Sequence, residues 1–328
     1  MNLHTIFINY AGRLRSGWRL LIFVLIYVAL LFGITSGGRI IYLLLLHFTP
    51  GLAPSAYLEN IIFRAMLLAP ALLAGYLSAR WLEGLPWRAL GLTFHRGWFR
   101  DLLLGSFMGL ASQALATAIA TAGGGLRFTT VGKTMIFAVG QTLVMSAALF
   151  ILAALAEEAL FRGYPLQTMT RARLAWFGIL LTSLPFAAIH LRNPNVVAGF
   201  TFVNTALAGV WLATAYLRTR SLWFPLGVHW SWNWALGSLF GLPVSGITKI
   251  APHPLLQGVE LGPAWLTGGS YGIEGGVACT ITLIASTIFI WRTRLITATA
   301  EMKDLTSHEV PVVKESVSTI FREPESSA

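Results

Sequence analysis

Charge is scarce in this sequence: of 328 residues only 11% are charged, 55% are hydrophobic, and the mean hydropathy is +0.69. A soluble globular chain carries about a quarter charged residues, and so little polar surface would not cover even one water-facing domain. A single cysteine, Cys279, excludes an intramolecular disulfide and any multi-cysteine metal cluster. It lies in an apolar run and reads as a small packing residue. Only two aspartates are present, Asp101 and Asp304, so chemistry that needs paired membrane aspartates is excluded. The zinc-binding string HExxH is missing too, since His308-Glu309 is the only His-Glu pair and does not continue to it. The nearest approach to a GxSG serine site is Pro243-Val244-Ser245-Gly246, and no segment repeats with a solenoid period.

What is abundant is apolar sequence interrupted by isolated cations. The net charge of +10 comes from 23 basic residues standing singly or in pairs between apolar stretches. That is the pattern of membrane-protein loops rather than of a phosphate-neutralising patch, so membrane lipids are expected as partners and nucleic acid is not. Runs long enough for a hydrocarbon core of about 30 Å lie at 20–35, 60–79, 102–122, 134–170, 174–191, 196–217, 221–240 and 277–291. The expected fold is all-α, a polytopic transmembrane helical bundle of about eight spans. Placing the N-terminus inside puts Arg13, Arg15, Arg19, Arg80, Arg88, Arg96, Arg100, Arg171, Arg173, Arg218, Arg220, Arg292 and Arg294 on one side. The other side receives only Arg39, Arg64, Arg127, Lys133, Arg192 and Lys249. That asymmetry predicts a multi-pass plasma-membrane protein with both termini cytoplasmic.

The chain divides accordingly. Residues 1–19 read as an interfacial N-terminal helix, since no small-residue cleavage site follows the apolar run. Residues 20–150 are N-terminal transmembrane helices, and 151–240 a helical core. Residues 241–276, rich in Gly and Pro, form an outer loop, and 277–294 the last transmembrane helix. Residues 295–328 have too little apolar content to offset ordering entropy and read as a disordered cytoplasmic tail. The stretch 39–58 either extends the first span or lies at the interface.

Against that background the buried ionisable groups stand out. Of thirteen acidic residues, eleven fall in loops, at span ends or in the tail. Glu157 and Glu158 alone sit inside a long apolar run, where an ionisable side chain costs a few kcal/mol and implies function by default. Glu158 and Arg162 are four apart and share a helical face, which allows a neutralising pair. Glu157 projects about 100° away. Of the seven histidines, His190 and His229 lie in apolar runs; Phe186 stands four before His190, and Asn233 four after His229, on one face each. Counting 1.5 Å per residue from the flanking arginines puts Glu157 about 21 Å deep, His190 about 26 Å, and His229 and Asn233 about 14 and 20 Å. Three helices thus bring one carboxylate, two imidazoles and a carboxamide to overlapping depths.

Such a set can hydrolyse. Glu157 could take a proton from water and deliver it to a leaving amine. His229 and Asn233 could donate to a developing oxyanion. His190 could hold the water, or Glu157, His190 and His229 could bind a divalent metal such as zinc. The bland readings are a packing histidine, a structural Glu/Arg pair, and Trp230, Trp232 and Trp234 as interfacial anchors.

The strings Glu157-Glu158-Ala-Leu-Phe-Arg162-Gly163, Phe186-Ala-Ala-Ile-His190 and His229-Trp-Ser-Trp-Asn233 resemble the ordered motifs EExxxR, FxxxH and HxxxN/D. These mark the CPBP family of CAAX proteases and bacteriocin-processing enzymes, also called Abi, over Leu152 to Leu239. The resemblance implies an intramembrane endopeptidase, of metalloprotease or glutamate type, cleaving a membrane-associated protein or peptide that is prenylated in CAAX-type members. The expected cleavage depth is in or near the inner half of the bilayer. In that family's pattern Glu157 activates water, Arg162 pairs with Glu158, and His190, His229 and Asn233 complete the site, with Phe186 in support. The competing classes are a proton-coupled transporter and a non-catalytic immunity or binding protein.

Overall fold

In lipid each backbone N–H and C=O must find its partner within the segment, so apolar runs become helices. The computed structural model describes residues 6–49, 54–130, 132–197, 199–248 and 250–307. Its principal helices are α1 (Ser16–Phe48), α2 (Ala56–Ser78), α3 (Trp98–Ala122), α4 (Ile136–Glu158), α5 (Tyr164–Arg171), α6 (Ala175–His190), α7 (Phe200–Thr219), α8 (Trp223–Trp234), α9 (Val277–Arg292) and α10 (Ala300–Thr306). Every apolar run predicted as a span coincides with a helix. Among the described residues five helical segments are long and apolar enough to cross a membrane: Ser16–Phe48, Ala56–Glu83, Trp98–Ala122, Ile136–Arg171 and Phe200–Thr219. α6 and α9 are apolar but have 16 residues each, and α8 has 12, so helix length does not establish eight crossings.

The sequence left 39–58 open, and α1 settles its first part by running unbroken to Phe48. Its Leu25, Val28, Phe32, Ile40 and Ile41 are exposed on the outside of the bundle, as a lipid-facing helix requires. Of the interfacial helix expected over residues 1–19, residues 1–5 lie outside the described residues, and Ile6 and Phe7 are helical. Residues 8–14 make a tight turn closed by pairing of Ile8 with Leu14, and α1 already begins at Ser16. Asn9 causes the turn: its Oδ1 accepts from the backbone N–H of Ala11 and Arg13, and Gly12 takes a φ of 72°.

The outer-loop region contributes the one β element among the described residues. β1 (Leu126–Thr130) pairs antiparallel with β2 (Leu256–Glu260), Leu126 opposite Glu260 and Thr130 opposite Leu256. The disorder expected from residue 295 is also corrected in part. α10 is capped by Thr299, whose Oγ1 accepts from the Met302 N–H, and it buries Met302 and Thr306. Glu301 pairs with Arg88, which ties α10 to the turn Trp87–Leu90. The remainder of the expected tail lies outside the described residues.

The tightest helix packing joins α3 to α8. Gly105 and Gly109 of α3 leave no room for a Cβ against the Phe224 and Val228 carbonyls of α8, nor does Gly227 of α8 against Leu102 of α3. Small residues four apart let backbones approach closely where lipid supplies no hydrophobic drive. The approach is locked by Ser231 Oγ donating to the Ser106 carbonyl at 2.9 Å and Trp230 Nε1 donating to Ser106 Oγ at 3.0 Å. Around it lies the largest core cluster, including Trp211, Phe224, Val228, Trp232, Leu236, Cys279 and Leu283. Overpacking costs about 1–3 kcal/mol, so Gly109→Leu is expected to lower the thermal unfolding midpoint in detergent by several degrees. Gly140→Ala, whose added Cβ meets nothing within 4 Å, is expected to leave it unchanged; equal midpoints would refute the close-packing account.

Candidate active site

The two glutamates close α4, and one residue later the helix widens into a π turn, Ala159–Gly163, before α5 resumes. Pro165 contributes to this break because it has no N–H to continue the α ladder. Single π turns of this kind are frequent at functional sites. A second one, Ala235–Leu239, follows α8 directly after His229 and Asn233.

His229 stands between the glutamates. Its Nδ1 is 2.8 Å from Glu158 Oε1, and its Nε2 is 3.6 Å from Glu157 Oε2. Glu158 is fully buried and also accepts from Arg162 Nη1 at 3.0 Å, while Arg162 Nη2 donates to the Gly209 carbonyl at 3.1 Å. The Arg162 guanidinium carbon lies 4.6 Å from the centre of the Phe186 ring, which supplies a cation–π contact. Phe186 also packs 4.6 Å from the His190 ring and 6.2 Å from the His229 ring, centroid to centroid. The His190 Nδ1 lies 2.7 Å from the Phe186 carbonyl. That contact fixes Nδ1 as the protonated nitrogen and leaves Nε2 as the free acceptor.

A cavity of about 200 Å³ is lined by Glu157, Phe186, His190, His229 and Asn233. Glu158 and Arg162 do not line it; they lie behind His229. Glu157 is about one-third exposed there, and its Oε2 has no hydrogen-bond partner. α4, α6 and α8 thus bring together the groups that helical spacing placed at similar depth. The cavity's upper walls are Val244, Ser245, Ile247, Ile250 and Glu274. These belong to the segment predicted as an outer loop, so the site lies toward that end of the bundle, away from the end bearing Arg171, Arg218 and Arg220.

Three polar residues of the region escaped sequence reasoning. Glu274 accepts from Trp232 Nε1 at 3.0 Å and from Ser245 Oγ at 3.0 Å, which ties the loop to α8 beside the cavity. Nothing in its Gly-rich surroundings signalled this tie to α8. Arg64, on α2, reaches the same cavity from a helix outside the motif region. Glu83, predicted at a span end, is indeed there but buried, held by Arg19, Arg171 and Thr168. An acid in one short loop and arginines far along the chain give no local pattern.

A metal would need three or more donors gathered at one point. Among the described residues no three His, Cys, Asp or Glu side chains stand together in a group that could hold an ion. His229 Nδ1 bonds Glu158 and His190 Nδ1 bonds a backbone carbonyl, which leaves each Nε2 as the nitrogen open to a ligand. Glu157, His190 and His229 are not gathered into such a group.

Residues 139–235 match the model of the family described as type II CAAX prenyl endopeptidase Rce1-like. The matched segment contains all three motifs and supports the CAAX-protease resemblance; that family is one of proteases. An Escherichia coli protein described as "Uncharacterized 24.3 kDa protein" is 38% identical over 96 residues, which make up 28% of this chain and 42% of that relative. The chain therefore spans less than half the length of the curated relative it matches. No solved structure matches.

Proposed function

Because residues 139–235 carry the match to a CAAX prenyl endopeptidase family, we propose that the protein is an intramembrane endopeptidase. Its substrate is a membrane-associated protein or peptide of the prenylated CAAX type. The observation that carries the reading is His229 suspended between two glutamates, with the Glu157 side chain about one-third exposed and lining the cavity.

The chemistry runs through the chain's own groups. Glu157 takes one proton from a water held by His190 Nε2, and the hydroxide adds to the scissile carbonyl carbon. Asn233 Nδ2 and a protonated His229 Nε2 donate to the resulting oxyanion, a role in which one donor lowers the barrier by about 3 kcal/mol. Glu157 then gives its proton to the amide nitrogen, the C–N bond breaks, and an acid and an amine leave. Glu158 orients the imidazole through Nδ1, and Arg162 balances Glu158. With His229 charged, the two carboxylates and two cations sum to zero, which reduces the cost of burying them. The proposed mechanism is glutamate-type, a reading supported by the lack of a three-donor His, Cys, Asp or Glu group among the described residues. The arginine distribution supports a plasma-membrane protein with both termini cytoplasmic.

The test is mass spectrometry of a prenylated CAAX peptide incubated with the purified protein, before and after verified metal removal. Cleavage that survives metal removal is the expected result. Loss restored by zinc would replace the glutamate mechanism with a metal one, and failure to cleave the peptide under both conditions would reject the protease reading.

A further inference from the structure

The mechanism leaves one cation in the cavity unused. Among the described residues Arg64 is the only Lys or Arg in the cavity's walls, and it lies within electrostatic reach of Glu157. It has no hydrogen-bond or ion-pair partner among the described residues, and its Nε is buried without one. Arg64 also lines a second cavity, of about 580 Å³, whose walls include Tyr57 and Asn60 of α2 and Thr142 and Ser146 of α4. The two cavities share Arg64, Ile247 and Ile250, so the guanidinium stands at the neck between them.

An arginine on a membrane helix is expensive, and a guanidinium with unspent donors in a cavity is complementary to a carboxylate, which it can grip with two parallel hydrogen bonds. The cavity also orients such an anion. Glu157 and Glu274 line its other walls, so a negatively charged group is repelled from them and settles at Arg64, while a neutral amide bond tolerates Glu157. The geometry points to Arg64 as the residue that binds a carboxylate of the peptide substrate, its C-terminal α-carboxylate, in the neck between the cavities with the scissile bond over Glu157. This rests on the endopeptidase reading above. Its competitor is an arginine that merely snorkels to the nearby membrane surface, since Arg64 lies eight residues into α2, about 12 Å from its start.

Binding separates the two without requiring cleavage. In the Glu157→Gln protein, a prenylated CAAX peptide with a free C-terminus is expected to bind at least about tenfold more tightly than its C-terminal amide. With Arg64→Gln added, that ratio is expected to fall to about unity. An amidated peptide carrying an aspartate near its end separates a side-chain carboxylate from the terminal one: tight binding through Arg64 would overturn the assignment to the terminus. Should Arg64→Gln not fold, Arg64→Lys, which keeps the charge and loses the fork, is expected to show a reduced ratio. An acid-to-amide ratio unaffected by substitution of Arg64, or equal binding of acid and amide before substitution, overturns the proposal. Wild-type protein that discriminates acid from amide through Arg64 yet cleaves neither leaves this assignment standing and overturns the endopeptidase reading.

Discussion

Glu157→Gln is expected to abolish peptide cleavage, by at least about 100-fold in kcat, while leaving the unfolding midpoint in detergent within a degree or two of wild type. The substitution is nearly isosteric and removes the carboxylate's charge together with its ability to accept a proton. Glu157 is one-third exposed to the cavity, and its nearest ionisable neighbour, His229 Nε2, is 3.6 Å away, too far for a hydrogen bond that holds the fold. Loss of activity with retained stability would therefore come from chemistry rather than from collapse of the site. General-base catalysis is worth about 10²–10⁴-fold, which sets the size of the effect. Full activity in the Gln protein would remove Glu157 from the mechanism and leave the other carboxylate, Glu158, as the group to explain.

How much of this was legible beforehand depends on distance along the chain. Glu157, Glu158 and Arg162 could be sorted by helical spacing, because contacts at three and four residues are fixed by the helix itself. The depth ruler brought His190, His229 and Asn233 to the level of Glu157 because the span ends are marked by arginines. It could not tell that His229 would take Glu158 as well as Glu157 for neighbours, since that depends on how α8 is rotated against α4, which periodicity does not encode. The packing that sets this rotation uses Gly105, Gly109 and Gly227, whose role is to lack a side chain and which leave no hydropathy signal. The cavity's roof was read only as loop, because Gly and Pro report turns and not what they cover. Glu274 and Arg64 meet the site from more than ninety residues away in each case when counted from the nearest glutamate, Glu274 from Glu158 and Arg64 from Glu157. Only the folded arrangement brings them there. The tail was misjudged where composition hid a single apolar anchor, Met302, between charged residues.

The other large effect concerns stability and separates Glu158 from Glu157. Arg162→Met and Glu158→Gln, each alone, are expected to destabilise the protein by about 3–5 kcal/mol, because each leaves its former partner charged and buried. Both side chains are fully buried and 3.0 Å apart, with no water-exposed surface through which either could relax. The double substitution, Glu158→Gln with Arg162→Met, removes both charges and is expected to recover most of that stability, since replacing a buried pair with apolar volume is often neutral. Thermal unfolding in detergent measures all three, and a double variant no more stable than the singles would show that the pair is not the source of the loss. Activity should not recover with stability. Glu158 Oε1 is also the partner of His229 Nδ1 at 2.8 Å, and a glutamine there presents either a weaker acceptor or an N–H that repels the imidazole's own. A folded, inactive double variant would make Glu158 a positioning residue that acts through His229, distinct from Glu157, which acts on water. A folded and fully active one would mean that the imidazole is held by the packing of Phe186 and α3 alone.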